Sequence, residues 1–381
     1  MRTAILILCL LSFGLASAQT TLTGTIQSGG LTRDYRLYIP AMYNGNTPVP
    51  LVLNLHGYTS SATEQEFYGN FRPIADTANF LIVHPNGTID GLGNRFWNTF
   101  GTGSPVDDVE FLSNLIDSLR TKYNIDPNRI YSTGMSNGGF MSYSLACELS
   151  NKIAAIASVT GSMITVNLNA CNPQRPVPVM EIHGTADNTV PYNGAALQGF
   201  VPIPTLVDAW VEKNGCNPTP IFTPVPNINT TDGCTAEHYR YTGGINGSTV
   251  EHYKVIGGGH TWPGQLFPIG VTNQDFNASQ EIWRFFSQYR LDVLTDVTAP
   301  EIAAGEWSVS PNPVSDRLTL RSVNGMRARQ IRVFDMLGRL RLLLPDAGEQ
   351  INIETDAWES GVYFVVIEQE GRTEQLTFTK R

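Results

Sequence analysis

Four stretches in the first half of the chain are apolar almost without a break: PLVLNL at 50–55, FLIVHP at 80–85, IAAIASV at 153–159 and VPVMEI at 177–182. A strand with one wet face alternates apolar and polar residues, whereas an unbroken run belongs to a strand covered on both faces. Segments with a helical period lie between the runs. In DDVEFLSNLIDSLRTKY (107–123), Val109, Leu112, Ile116, Leu119 and Tyr123 share one face. FRPIADTANF (71–80) and GGFMSYSLACEL (138–149) also read as helices. Strand and helix in turn predict a doubly wound, mostly parallel α/β sheet. NASQEIWRFFSQY (277–289) supplies its last helix.

The pattern changes after Tyr289. LDVLTDVTAPEIAAGE reads as linker, and RLTLRS, QIRVFDMLGRLRLLL, GVYFVVIEQ and EQLTFTKR are short alternating strands divided by turn residues. They predict a small all-β sandwich over 306–381. At the other end, Arg2, the apolar run Ala4–Leu15 and the small residues Ala16-Ser17-Ala18 form a signal-peptide pattern, with the mature chain starting at Gln19. The expected organisation is therefore a leader at 1–18, an α/β domain at 19–294, a linker at 295–305 and the sandwich.

Composition narrows the partners. Lys and Arg number 25 against 34 Asp and Glu, a net charge of -9. That balance argues against nucleic acid, whose binding rests on neutralising phosphates. No segment after the leader approaches 18 apolar residues, so no transmembrane span is expected in the mature chain. Beyond Cys9 of the leader, Cys147, Cys171, Cys216 and Cys234 remain. An even number in an exported chain suggests disulfides. Short loops around irregular sequence favour Cys147–Cys171 and Cys216–Cys234. No C-x-x-C pair is present, and no metal or other cofactor is expected.

The chemistry centres on YSTGMSNGGF (131–140). Gly134-Met135-Ser136-Asn137-Gly138 fits G-x-S-x-G between a strand and a helix, the setting of a nucleophile elbow. A serine hydroxyl is a poor nucleophile until a base takes its proton. Of the six histidines, His260 in VIGGGHTWPG follows a strand on a glycine loop that can carry an imidazole over the elbow. Asp187, in the loop after VMEIHG, can orient that imidazole and stabilise its charged form. The order Ser136, Asp187, His260 is the one this architecture uses. Oxyanion donors are expected at the N–H of Asn137, at a helix start, and of Tyr58, in NLHGYTSSA. Trp97 and Trp262 are candidates to line the acyl pocket, where an aromatic ester would stack, and equally candidates for the core. Asp107 and Asp108 precede a helix and are expected to cap it.

Taken together, LNLHGYTSS, VDDVEFL, YSTGMSNGGFM, HGTADNTVPYNG and GGGHTWPG resemble the secreted esterases grouped with polyhydroxybutyrate depolymerases, feruloyl esterases and family 1 carbohydrate esterases. The resemblance spans roughly residues 24–290. It implies an α/β-hydrolase fold, a metal-free serine esterase mechanism with Ser136, Asp187 and His260 as triad, and the same cysteine pairing. Its substrates are esters on a polymer: feruloyl or acetyl esters on plant cell-wall xylan, or a polyester such as polyhydroxybutyrate. The fold also hosts serine peptidases, which commonly carry a large gating domain, and non-catalytic binders, which have no need of a triad. The tail motifs SVSPNPVSDRLTL, VFDMLGR and SGVYFVVIEQEGRTEQLTFTKR resemble the type IX secretion sorting domain. That resemblance implies a partner in the type IX secretion machinery and passage through the periplasm to the cell surface or beyond.

Overall fold

The computed structural model describes residues 19–99, 104–291, 307–323, 325, 327–335, 339–369 and 372–381. The expected leader at 1–18 and linker at 295–305 lie outside them. The chain divides into two compact units, Met1–Thr295 and Asp296–Arg381.

In the first unit an edge hairpin, β1 (Thr20–Ser28) and β2 (Leu31–Ile39), leads into β3 (Val49–Leu55). Two short helices, α1 (Ala62–Tyr68) and α2 (Arg72–Ala78), connect it to β4 (Leu81–Pro85). A small hairpin of β5 (Thr88–Ile89) and β6 (Arg95–Phe96) precedes α3 (Asp108–Lys122), β7 (Ile125–Met135) and α4 (Asn137–Glu148). Then come β8 (Ala155–Val159), α5 (Thr165–Ala170), β9 (Val179–Gly184) and α6 (Ile203–Lys213). The edge strands β10 (Ile221–Pro224) and β11 (Thr235–Tyr241), then β12 (Val250–Ile256) and α7 (Ala278–Phe286), complete it.

Ten of these strands form one sheet in the order β1-β2-β4-β3-β7-β8-β9-β12-β11-β10. Its centre, from β4 through β12, is parallel, and the pairs toward either edge are antiparallel. The unbroken apolar runs are the central strands, buried at every residue of β3, β4, β8 and β9. Successive residues feed opposite cores. Leu51, Leu53, Ile156 and Val179 join α3, α4 and α6 on one face. Val52, Ala157, Met180 and Ile182 join α2 and α7 on the other. This is the doubly wound sheet of an α/β-hydrolase.

The helix ends follow local chemistry. Asp107 caps α3 by accepting from the Glu110 N–H at 2.8 Å, and Arg120 and Lys122 sit in its last turn. Asp108 does something else. It is buried, accepts from Arg33 Nη2 at 2.6 Å and from the Asn98 N–H at 2.8 Å, and anchors the segment leading into α3.

The cysteines correct one expectation. Cys147 and Cys171 are joined in a disulfide, but Cys216 and Cys234 are both free and buried. The reason is topological: Cys216 packs into the core on one face of the sheet, Cys234 into the core on the other. A short separation in sequence cannot bridge the sheet between them.

The second unit has two antiparallel sheets, one of β13 (Trp307–Ser310), β14 (Arg317–Ser322) and β17 (Gln350–Glu354). The other orders β16 (Leu340–Ala347), β15 (Ala328–Asp335), β18 (Gly361–Gln369) and β19 (Arg372–Lys380). Leu318, Leu320 and Ile353 of the first meet Ile331, Val333, Val365, Ile367 and Phe378 of the second in one core, a sandwich as expected.

Candidate active site

Ser136 stands between the end of β7 and the start of α4 with φ 54° and ψ -121°. A non-glycine residue in this region is strained and is held there by its surroundings. Its N–H donates to the Val159 carbonyl at 2.8 Å. Glycine on either side makes the turn possible. A Cβ on Gly134 would stand 2.6 Å from the Gly138 carbonyl carbon, and one on Gly138 only 2.2 Å from the Leu55 carbonyl oxygen. The helix start is therefore pressed against the end of β3.

The loop after β3 is fixed from beneath by His56, a residue passed over in the sequence. Its buried Nδ1 donates to the Gly57 carbonyl at 2.7 Å, and its Nε2 accepts from the Gly87 N–H at 2.9 Å. Burial pulls the imidazole down to about 4, so it stays neutral in this role. A Cβ built on Gly57 would lie 3.5 Å from Ser136 Cβ, which brings this loop alongside the serine. Tyr58 follows, its hydroxyl donating to Asp90 Oδ2 at 2.7 Å and accepting from Asn94 Nδ2 at 2.9 Å.

Asn137 is the first residue of α4, so its N–H has no acceptor within the helix. Its side chain ties down the 97–99 segment: Oδ1 accepts from the Trp97 N–H at 2.6 Å, and Nδ2 donates to the Trp97 carbonyl at 3.1 Å.

Asp187 lies just beyond β9 and His260 just beyond β12. These strands are parallel neighbours. The two loops touch so closely that a Cβ on Gly184 would stand 2.2 Å from the Gly258 carbonyl oxygen. His260 Nδ1 is 2.7 Å from Asp187 Oδ2. The other carboxylate oxygen accepts from the N–H groups of Thr189 and Val190 at 2.8 and 2.9 Å. Burial pushes the Asp187 carboxyl up, but hydrogen bonds from His183 and His260 outweigh it and hold the group well below the usual carboxylate range.

Two cavities meet at the serine. The first, about 650 Å³, is lined by Ser136, Asn137 and Tyr58 with Phe96, Phe140 and Phe200 among its apolar walls. The second, about 570 Å³, is bordered by Ser136, His260 and Tyr58 with Phe67, Tyr68 and Ile269. Ser136, Tyr58, Asn137, Asp187 and His260 are thus gathered at the C-terminal edge of the parallel strands. The two tryptophans are not among them, which corrects the pocket alternative. Trp97 is fully buried, stacked on His56 and donating from Nε1 to the His56 carbonyl at 3.0 Å. Trp262 is buried against Phe71, with Nε1 donating to Ser279 Oγ at 3.1 Å. Each indole N–H finds its partner inside the core, and neither ring borders either cavity.

Comparison with known proteins agrees with this architecture. Residues 106–200 match the Phospholipase/Carboxylesterase family, and residues 308–380 match the Secretion system C-terminal sorting domain. The chain is 34% identical over 172 residues to a bifunctional acetylxylan esterase/xylanase of Neocallimastix patriciarum, covering 45% of this chain and 24% of that protein. It is 31% identical over 205 residues to feruloyl esterase B of Piromyces equi, covering 51% and 38%. Against feruloyl esterase C of Emericella nidulans it is 30% identical over 215 residues, covering 54% and 70%. The chain therefore spans only a quarter to two fifths of the first and second of these relatives and most of the third.

A doubly wound sheet with a strained serine at a strand-to-helix turn defines the α/β-hydrolase class. Within it, the chain belongs to the feruloyl esterase family. Its C-terminal sandwich is a sorting domain, which addresses the protein to the cell surface or the medium. Among the described residues no helix is long and apolar enough to cross a membrane.

Proposed function

We propose that the protein is a serine carboxylic ester hydrolase acting on feruloyl or acetyl esters of plant xylan, with Ser136, His260 and Asp187 as its triad. The observation that carries this is the 2.7 Å contact of His260 with a buried Asp187 at the cavity that Ser136 also borders. His260 Nε2 takes the Ser136 proton as Oγ attacks the ester carbonyl. The developing oxyanion is met by the N–H groups of Asn137 and Tyr58, each such donor being worth about 10²–10³ in rate. His260 borders the second cavity, so the alcohol that receives its proton leaves on that side. The acyl group then occupies the first cavity, whose phenylalanines suit an aromatic acid. Water delivered by His260 hydrolyses the acyl-enzyme. The catalytic part is assigned to 19–294 and the sorting part to 306–381.

A polyester depolymerase is the second reading, favoured by the apolar rim of the second cavity. Ile269 borders it, and Leu266 and Phe267 nearby in the same loop are more than three-quarters exposed. The deciding experiment compares methyl ferulate, acetylated xylan and polyhydroxybutyrate with the mature protein and with Ser136→Ala. Ser136→Ala is expected to fold and to lose roughly 10⁶ in turnover. Retention of more than a few per cent of activity rules out Ser136 as nucleophile.

A further inference from the structure

His183, on β9, is fully buried and has a hydrogen-bond acceptor at each ring nitrogen. Nε2 lies 2.8 Å from the Val190 carbonyl oxygen and 3.4 Å from Asp187 Oδ2. A carbonyl only accepts, so Nε2 carries its hydrogen. Nδ1 lies 2.8 Å from Glu181 Oε1, and the other oxygen of that carboxylate already accepts from the Tyr143 hydroxyl at 2.8 Å. Burial pushes the Glu181 carboxyl up, while hydrogen bonds from His183 and Tyr143 act to lower it. Ionised, it only accepts, and a ring with acceptors on both sides is doubly protonated.

We infer that His183 is a positioning residue of the hydrolytic site, a buried imidazolium fixed by Glu181 that locks the 187–190 loop and keeps Asp187 an ionised carboxylate aimed at His260. The inference rests on the triad reading above. The lock is a closed ring of contacts. Asp187 Oδ1 takes the N–H groups of Thr189 and Val190, and the Val190 carbonyl takes the N–H of His183. The carboxylate cannot rotate without breaking it. The charge points the same way. Burial alone would pull His183 down, but its hydrogen bonds to Asp187 and Glu181 raise it to about 9.

The other groups around the ring leave this charge in place. Tyr192 meets it edge-on at 6.0 Å between centroids. His252, on β12, donates from Nδ1 to the Glu181 carbonyl at 3.0 Å and shares its Nε2 with the Tyr192 hydroxyl at 3.0 Å. Burial lowers it to about 4, so it is neutral. Lys254 is the register partner of His183 on β12, and its ammonium pairs with Glu237 at 3.5 Å.

The test has two arms. In the intact wild-type enzyme, proton–nitrogen NMR of the His183 ring is expected to show both nitrogens protonated across roughly pH 6–8. In His183→Gln, kcat on p-nitrophenyl acetate is expected to fall on the order of 10–100-fold with KM little changed, as small misplacements of catalytic groups do. Removing the cation also lets the Asp187 charge act undiminished on His260. The acid limb of kcat/KM then moves up by roughly one pH unit. A merely structural role would lower the melting temperature and leave that limb in place. A singly protonated ring in the wild type overturns the inference, and so does a folded His183→Gln with unchanged kcat and acid limb. If His183→Gln does not fold, the NMR arm decides alone, in either direction. Activity retained in Ser136→Ala removes the triad reading and this inference with it. An inactive Ser136→Ala beside an unaltered His183→Gln removes this inference only.

Discussion

Asp187 Oδ2 and His260 Nδ1 lie 2.7 Å apart although 73 residues separate them in the chain. The contact exists because β9 and β12 are parallel neighbours whose following loops interlock at Gly184 and Gly258. Asp187→Asn is nearly isosteric, and its amide can present a donor to Nδ1 and impose the wrong tautomer. The variant is expected to fold and to lose on the order of 10⁴ in kcat. Steady-state kinetics on p-nitrophenyl acetate measures it, and near-normal turnover would remove Asp187 from the mechanism.

Gly138 gives a purely steric prediction. A methyl group there would stand 2.2 Å from the Leu55 carbonyl oxygen and 2.7 Å from that of His56. Either α4 or the loop carrying Tyr58 must retreat. Gly138→Ala is expected to lower both the melting temperature and kcat, whereas Gly348→Ala, with open space around the same methyl in the second unit, should change neither. Equal behaviour of the two variants contradicts the account.

Stability should respond to pH through the buried histidines. Burial lowers His56 to about 4, His84 to about 3 and His252 to about 4. Each stays neutral in the folded protein while the unfolded chain protonates near 6.5. The unfolded state then binds more protons, so stability falls with acidification from about pH 6.5 toward 4, by about 1.4 kcal/mol per pH unit for each histidine fully engaged. His183 works in the opposite sense. Its contribution is complete below about pH 6.5 and is lost as pH rises through about 9. Urea unfolding at pH 5, 7 and 9 is expected to be most favourable to the fold at pH 7. A flat profile would mean these histidines are solvated.

The cysteines predict a thiol count. The chain from Gln19 contains one disulfide, Cys147–Cys171, and two buried thiols, Cys216 and Cys234. Burial raises the Cys234 thiol to about 11, so it has little thiolate to react. Titration with an aromatic disulfide should detect almost no thiol in the native protein and two after denaturation without reductant. Zero thiols after denaturation would restore the second bridge. Replacing both Cys147 and Cys171 by serine is expected to cost about 2–4 kcal/mol, with the size depending on how far the open chain was constrained.

What could be read from the sequence depended on how local the determining physics was. The runs at 50–55, 80–85, 153–159 and 177–182 announced themselves because a strand buried on both faces leaves no room for polar residues. The hairpin of Thr20–Ile39 and the edge strands at 221–241 did not, because their solvent-facing positions dilute the signal. That Ser136, Asp187 and His260 would follow β7, β9 and β12 was legible because those strands are readable; their role as a triad stays a proposal. Trp97 and Trp262 were not, because composition says nothing about which way an indole points. The Cys216–Cys234 pairing failed on topology, the sheet lying between two residues that are close in sequence. His183 looked like one more strand residue. Its acceptors come from a neighbour on its own strand and from a loop that folds back over it, and Tyr143 of α4 completes the set around Glu181.

Ser136 and Tyr58 border both cavities, and each cavity has partly exposed side chains at its margin, Ile89 on one and Phe67 and Ile269 on the other. For an esterase this is a matter of traffic. The two halves of a cleaved ester can depart by separate doors, so the alcohol need not wait for the acid. On the proposed mechanism, once the alcohol has gone, its vacated chamber becomes the corridor by which water reaches the acyl-serine, beside the imidazole proposed to activate it. A long polymer can thus remain on one side while only its small appendage crosses the serine.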